Sequence, residues 1–535
     1  MLQGLVTRIT KLNTLYIGTI LFIATFFCYG NTLGNGLFFD DEQFIYNNQF
    51  VRTFNIPGLF ENSLITGSGK LSNYYRPLLF VGFATEYQIF TDNGFIYHLN
   101  SVLLHFLGGL LLFLLIKKLF NNMSIALITS LLFIIHPVQT EAVSYASGRG
   151  DPLSFVFVML SLIFSLLKSR KYIILSIVFM MGALLSKELA LVTPGLIFIV
   201  HLFKQKSLTK NSLKKCLLFT LPFGVIAVSY FILRITVLNF SNTLNFSNIT
   251  TIYSSSLFVR LNTFFHLFPS YVQLLIFPKE LFMERDSGIG IQILPTFKSM
   301  ATVIIFLLGA ALAIIKRGSS RIFLFGFGWI GITFIPTTGI IPINGIFYEH
   351  FLYYPSVGFF LIFSLGIFRL YHISKSWLKE LILLLILLGI LLLSVRTILR
   401  NTEWNNPITF YNQTLTHVQS PRAYNNLAMA YADKGMNLDA IRTYKKAISI
   451  SDTYPESHFN LANTYLAINN KPSAESEYKK AIEIDPNFYL AHGSLYQMYK
   501  KTGNAEGVNW VISKLSELGS INSGYTEYLR QLQAQ

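Results

Sequence analysis

The residues best suited to chemistry fall in four short clusters, each beside an apolar run. Asp40-Asp41-Glu42 follows Leu37-Phe38-Phe39, and His136-Pro137 leads to Glu141 and then to Gly148-Arg149-Gly150-Asp151. Ser186-Lys187-Glu188 interrupts an otherwise apolar stretch, and Glu349-His350 precedes Tyr353-Tyr354-Pro355. Arg76, in Tyr74-Tyr75-Arg76-Pro77, lies between the first two. A carboxylate can accept a hydroxyl proton as the oxygen attacks. Arg, Lys and His can hold a phosphate and stabilise the charge it gains on leaving. The set suits transfer of a group from an anionic lipid to a hydroxyl. The sequence has no Gly-rich phosphate loop ending in Lys-Ser/Thr. His and Cys paired at zinc spacing are also missing, so no metal is assigned.

Each cluster also has a plainer reading. Asp40-Asp41 can cap a helix, Arg149 with Asp151 can form a structural ion pair, and His136-Pro137 can end a helix because proline disfavours helical backbone at the residue before it. Lys187 with Glu188 is the hardest to explain structurally, since charge within apolar runs is costly and usually functional.

The elements that must position these residues are membrane helices. Of 535 residues 52% are hydrophobic and 13% charged, against about 25% charged in an ordinary soluble domain. This excludes a single water-soluble globule. The net charge of +16 is unevenly spread: residues 401–535 carry 12 basic and 12 acidic side chains, residues 1–400 carry 30 and 14. A bilayer core of about 30 Å takes about 20 helical residues. Eleven apolar runs fit that description, several of them short: residues 12–31, 96–116, 122–137, 150–167, 172–187, 189–203, 216–236, 299–315, 322–340, 353–370 and 380–397.

Basic residues accumulate in short cytoplasmic loops, which places the N-terminus inside and 18 of the 30 basic residues with it. Of the 14 acidic residues only Glu380 then lies inside, and all four clusters share the outer side. An odd number of spans sends the tail outside too. The expectation is an integral membrane protein, N-terminus cytoplasmic, with no nucleic-acid partner because the basic residues form no continuous patch. The two cysteines, Cys28 and Cys216, fall at opposite membrane faces and should not meet.

The tail repeats at a spacing of 34. Asn426-Leu427 recurs as Asn460-Leu461, Tyr431 as Tyr465 and Tyr499, and Tyr444-Lys-Lys-Ala447 as Tyr478-Lys-Lys-Ala481. This period, with these Ala, Tyr and Gly offsets, resembles the tetratricopeptide repeat, whose stacked helix pairs bury a continuous seam. Three repeats fit between about 421 and 520. The expected organisation is a membrane domain at 1–400 with its first outer loop at 32–95, a linker at 401–420 and repeats at 421–535.

Taken in order, Asp40-Asp41, Tyr75-Arg76-Pro77, His136-Pro137, Glu141-Ala142-Val143, Gly148-Arg149-Gly150-Asp151, Ser186-Lys187-Glu188, Tyr354-Pro355-Ser356-Val357-Gly358, Arg400-Asn401 with Trp404 and the repeats resemble the transmembrane and tetratricopeptide-repeat-containing protein O-mannosyltransferases and their prokaryotic relatives. The resemblance implies an all-α fold: a polytopic helix bundle of the GT-C glycosyltransferase type with a C-terminal α-solenoid. It implies a polyprenyl-phosphate sugar donor, mannose foremost, and inverting transfer to protein Ser or Thr on the outer face. Asp40 or Asp41 would hold the catalytic base, and Arg76, His136, Glu141, Arg149, Asp151, Lys187, Glu188, Glu349 and His350 would line the donor site. The repeats would bind acceptor protein. Two departures stand out: His350 occupies a position that is often Arg, and residues 277–286 follow the relatives loosely. The alternatives are a non-enzymatic membrane-anchored scaffold for envelope assembly and a GT-C enzyme acting on a lipid or polysaccharide.

Overall fold

The computed structural model describes residues 13–70, 72–205, 209–240, 252–285, 289–315, 321–340, 345–519 and 523–534. The chain forms two compact units, Met1–Asn406 and Pro407–Gln535. Among the described residues both are built of helices and turns without strands.

The long helices of the first unit are α1 (Thr14–Tyr29), α2 (Pro77–Phe90), α3 (Gly94–Phe120), α4 (Met123–Ile135), α5 (Gly150–Ser165), α6 (Arg170–Leu184), α7 (Thr193–Lys204), α8 (Lys210–Ile235), α9 (Leu257–Ile276), α10 (Phe297–Ile315), α11 (Arg321–Phe334), α12 (Ser356–Ile373) and α13 (Ser376–Glu403). Asparagines punctuate them. The side chains of Asn13, Asn93 and Asn122 accept amide protons at the starts of α1, α3 and α4, satisfying donors a helix start leaves open. Asn121 closes α3 at φ +51°, so two residues suffice to reverse the chain between α3 and α4.

All eleven apolar runs read from the sequence contain helix. Among the described residues six helices are long and apolar enough to cross a membrane: Thr14–Gly34, Gly94–Phe120, Ala146–Ser165, Lys210–Ile235, Ser356–Ile373 and Ser376–Glu403. A seventh is added if Met123–Ile135 and Pro137–Ser144, bent by 53°, count as one span. The first unit is that of a membrane protein. Helices α6 and α7 have 15 and 12 residues, at 1.5 Å per residue too short for a full bilayer core. They stop at the turn that carries Lys187 and Glu188. Two helices were not among the eleven runs, α2 and α9, because polar residues such as Glu86, Arg260, Asn262 and His266 break their apolar pattern.

Small residues set a close helix crossing. A Cβ on Gly358 would lie 2.4 Å from the Gly326 carbonyl oxygen, and one on Gly326 3.0 Å from that of Gly358. Only glycine lets α11 and α12 meet backbone to backbone, a common solution where lipid supplies no hydrophobic drive between helices. The segment between α1 and α3, expected as an outer loop, folds into short helices and α2 around a core of its own that includes Phe44, Val51, Leu59, Phe80, Phe83 and Tyr97.

In the second unit, helix pairs 421–433 with 437–450, 455–467 with 471–484 and 489–502 with 505–519 follow one another, and a last helix spans 523–534. Ala440, Ala474, Tyr444, Tyr478, Leu461 and Leu495 are buried in one continuous core. These are the repeating positions, small or aromatic where neighbouring helices touch.

Candidate functional site

The acidic pair sits on a tight turn beyond α1. The Asp41 side chain is 1% exposed. Its Oδ1 accepts the Ser147 backbone N–H at 2.8 Å and the Ser147 hydroxyl, and its Oδ2 accepts the Phe38 N–H at 3.2 Å. Burial pushes its pKa up to about 7. The Ser147 and Phe38 hydrogen bonds oppose that rise, and the neighbouring Asp40 adds to it. Asp40 is only half-buried. Its backbone N–H donates to the Tyr145 hydroxyl at 3.1 Å, and the same hydroxyl engages the Asp40 carboxylate. Ser147 and Tyr145 both come from the short turns between α4 and α5, so the sequence around Glu141–Asp151 serves first to hold Asp40 and Asp41.

Two ion pairs stand beside this turn. Arg76 Nε donates to Glu188 Oε2 at 3.0 Å, and the Tyr75 N–H donates to Glu188 Oε1 at 3.2 Å. Lys187 Nζ donates to Asp151 Oδ2 at 2.6 Å. Asp151 Oδ1 is buried with no hydrogen bond among the described residues, an open acceptor in a place where buried polar atoms are normally satisfied. Burial keeps the Tyr74 hydroxyl protonated; Arg76 opposes this, and Glu188 and Asp40 reinforce it. Arg76 lies over the Tyr74 ring at 4.7 Å, and the charges of Asp40, Arg76 and Glu188 all act on that phenol. Lys187 and Glu188 are neighbours in sequence but each takes a partner from another element.

A second cluster lies where α13 ends. His350 is tied twice to Glu141, through its backbone N–H to Oε2 at 3.0 Å and through Nδ1 to Oε1 at 2.6 Å. Arg400 Nη2 reaches Glu349 Oε2 at 3.4 Å, Arg400 also bonds Glu403, and Arg396 Nη1 lies 3.1 Å from Glu403 Oε1. Arg285 faces Glu349 at 3.8 Å with Nε and Nη2 unbonded among the described residues. Arg285, Arg396 and Glu403 escaped the sequence reading because none of them stands beside one of the four clusters along the chain. Arg400 lies over the Trp404 ring at 5.7 Å, and Trp404 stacks on Tyr145 at 5.3 Å. The indole and the phenol thus join the two clusters.

Two expected site residues are committed elsewhere. His136 is 1% exposed; its Nδ1 accepts the Val138 N–H at 3.2 Å and its Nε2 donates to the Leu275 carbonyl at 3.0 Å. With both nitrogens on backbone it has none left for a phosphate, and it serves to turn the chain where α4 stops. Arg149 does not pair with Asp151. It donates to Glu86 at 2.5 Å, to the Tyr97 carbonyl at 2.7 Å and to Ser101 at 3.2 Å, under the Phe83 ring. All three groups belong to α2 and α3, so Arg149 locks those helices to the start of α5. The plainer reading of Arg149 as an ion-pair partner of Asp151 rested on proximity along the chain, whereas Glu86, some sixty residues away, holds Arg149. Cys28 and Cys216 are both free and buried. Among the described residues no group of three or more His, Cys, Asp and Glu side chains is arranged to hold a metal ion.

Comparison with known proteins agrees with this division. The Tetratricopeptide repeat family matches residues 419–487. The chain is similar to the protein O-mannosyl-transferase F38B6.6 of Caenorhabditis elegans, 26% identical over 443 residues that cover 80% of this chain and 62% of that protein. It is similar at 26% identity to the protein O-mannosyl-transferase TMTC3 of Mus musculus, with 79% of this chain and 49% of that one covered. The chain thus spans between about half and three fifths of the length of these relatives. Among solved structures it is similar to ArnT from Cupriavidus metallidurans, crystallised with undecaprenyl phosphate, at 14% identity and a TM-score of 0.42 over 90% of this chain and 80% of that one. Over four fifths of its length the chain resembles the protein O-mannosyl-transferases, and its tail is a tetratricopeptide-repeat array.

Proposed function

We propose that this chain is a glycosyltransferase of the GT-C type that moves a sugar, mannose foremost, from a polyprenyl phosphate to Ser or Thr hydroxyls of proteins on the extracytoplasmic face. The observation that carries the reading is the acidic turn itself: a half-buried Asp40 held beside a buried Asp41, next to the Arg76–Glu188 and Lys187–Asp151 pairs. The similarity to protein O-mannosyl-transferases supports it.

In this reaction the acceptor oxygen bonds to the anomeric carbon as the carbon–oxygen bond to the phosphate breaks, with inversion, and the electron pair leaves on the polyprenyl phosphate. Asp40 takes the hydroxyl proton. It is the more accessible of the pair, whereas both oxygens of Asp41 are occupied by Ser147 and Phe38. Asp41 anchors the turn. Arg76 and Lys187, balanced by carboxylates before the donor arrives, receive the charge that develops on the phosphate, and Asp151 Oδ1 offers an acceptor to a sugar hydroxyl. The tail holds the acceptor protein near the membrane.

The test is mannose transfer from a synthetic polyprenyl-phosphate mannose to a Ser/Thr peptide by the purified chain. Asp40→Asn lowers the rate by about a hundredfold or more, the usual worth of a general base. Wild-type rates for both Asp40→Asn and Asp41→Asn would remove the acidic turn from the chemistry.

A further inference from the structure

The acidic turn is shaped by the far end of the same unit. Phe39, immediately before Asp40, sits at φ +63°, a left-handed backbone that a bulky residue keeps only where its surroundings enforce it. Its ring lies 6.0 Å from that of Tyr145, and Phe38 lies 6.4 Å from Trp404. Tyr145 and Trp404 are 6% and 1% exposed and stack at 22°. The backbone is stitched as well. The Gly36 N–H donates to the Asn405 carbonyl at 3.1 Å, and the Asn401 amide donates to the Cys28 carbonyl at 2.7 Å and to Asn31 Oδ1 at 2.9 Å while accepting from the Ser144 hydroxyl at 2.8 Å. Residues before and after the acidic turn are thus both tied to the last residues of the unit.

We propose that Trp404 is a positioning residue for Asp40: stacked on Tyr145 and packed against Phe38, it holds the strained turn that presents the carboxylate, and the Asn401–Asn405 stretch is the strap that fastens it. Trp404 acts through Tyr145, whose hydroxyl meets both the backbone N–H and the carboxylate of Asp40. The strap lies just before Pro407, where the repeat unit begins. The proposal rests on the functional reading above only for its effect on catalysis; the shape of the turn is measurable without it.

The experiment uses the full chain in detergent, as wild type, Trp404→Ala, Trp404→Phe and Tyr145→Phe. Amide hydrogen exchange over residues 36–41 is expected to quicken by about tenfold or more in Trp404→Ala, while Trp404→Phe, which keeps a ring on Tyr145, stays near wild type. In the transfer assay Trp404→Ala loses about tenfold in kcat with donor KM within about twofold, since the binding cations are untouched. Tyr145→Phe, which removes only the hydroxyl, shows faster exchange at the Asp40 amide; if Trp404→Ala does not fold, Trp404→Leu, which keeps apolar bulk but no stacking ring, decides the matter, and wild-type exchange over 36–41 in it overturns the proposal. Wild-type exchange over 36–41 in Trp404→Ala, or equal damage from Trp404→Phe and Trp404→Ala, overturns the proposal. If exchange responds as stated but no chain, wild type included, transfers mannose, the strap stands and the mannosyl-transfer reading falls.

Discussion

At the scale of the residue, Asp41 has the most informative environment. Its carboxyl is pushed up to about 7 by burial, against an ordinary value near 4. Because the folded value lies above the unfolded one, the fold binds a proton that the unfolded chain gives up. That contribution to stability is complete below about pH 4 and is lost as the pH rises through about 7. The full chain in detergent should therefore melt at a higher temperature at pH 5 than at pH 7.5, and Asp41→Asn should lose that part of the difference, as a pair of melting curves at each pH will show. The residue types were legible in the sequence: Asp40-Asp41, Arg76 and Lys187-Glu188 do come to one neighbourhood. Their partners were not. Pairing Arg149 with Asp151 followed from proximity along the chain, whereas a buried guanidinium takes whichever carboxylate lets all its donors be satisfied, and here that is Glu86 from α2.

At the scale of the element, the turns between α4 and α5 carry more of the site than any helix. Gly148 is required there by a close approach: a Cβ would lie 2.5 Å from the Glu141 carbonyl oxygen and 3.3 Å from the Ala142 Cα. Backbone cannot yield as a flexible side chain can. Gly148→Ala should force the turn open, weaken the hold of Ser147 on Asp41 and destabilise the unit by about 1–3 kcal/mol, read as a lowered melting temperature together with reduced transfer. An unchanged melting temperature would show that the turn relaxes freely. Apolar runs located the helices well because burial in lipid demands long uninterrupted stretches. They missed α2 and α9, whose polar faces include Glu86 and Arg260, because these groups find partners inside the protein: Glu86 meets Arg149 and Arg260 bonds the Gly339 carbonyl. No hydropathy pattern encodes that.

At the scale of the whole molecule, the chain is a membrane unit followed by a repeat unit, and the proposed function gives chemistry to the first and acceptor binding to the second. If the chain were only a scaffold, the repeats retethered by one plain membrane helix would restore whatever the cell loses without it. The enzyme reading expects no restoration, and expects hexose on Ser or Thr of envelope proteins to disappear in the chain's absence, as mass spectrometry of those proteins will reveal. The period of 34 made the tail readable because each repeat contacts only its neighbours. The membrane unit is different, since its decisive contacts join distant stretches.

The bond from Asn401 to Asn31 spans 370 positions. At about 5–20 residues per second of synthesis, the first helix waits on the order of tens of seconds before its clasp exists. A chain halted after Glu403 holds every charged group described at both clusters yet lacks Trp404 and Asn405. Such a fragment should insert, fold most of its bundle and, lacking Trp404, transfer sugar at least about tenfold more slowly than the full chain. The hold on the acidic turn is therefore completed only when the last residues of the membrane unit have been made, late in the birth of the protein.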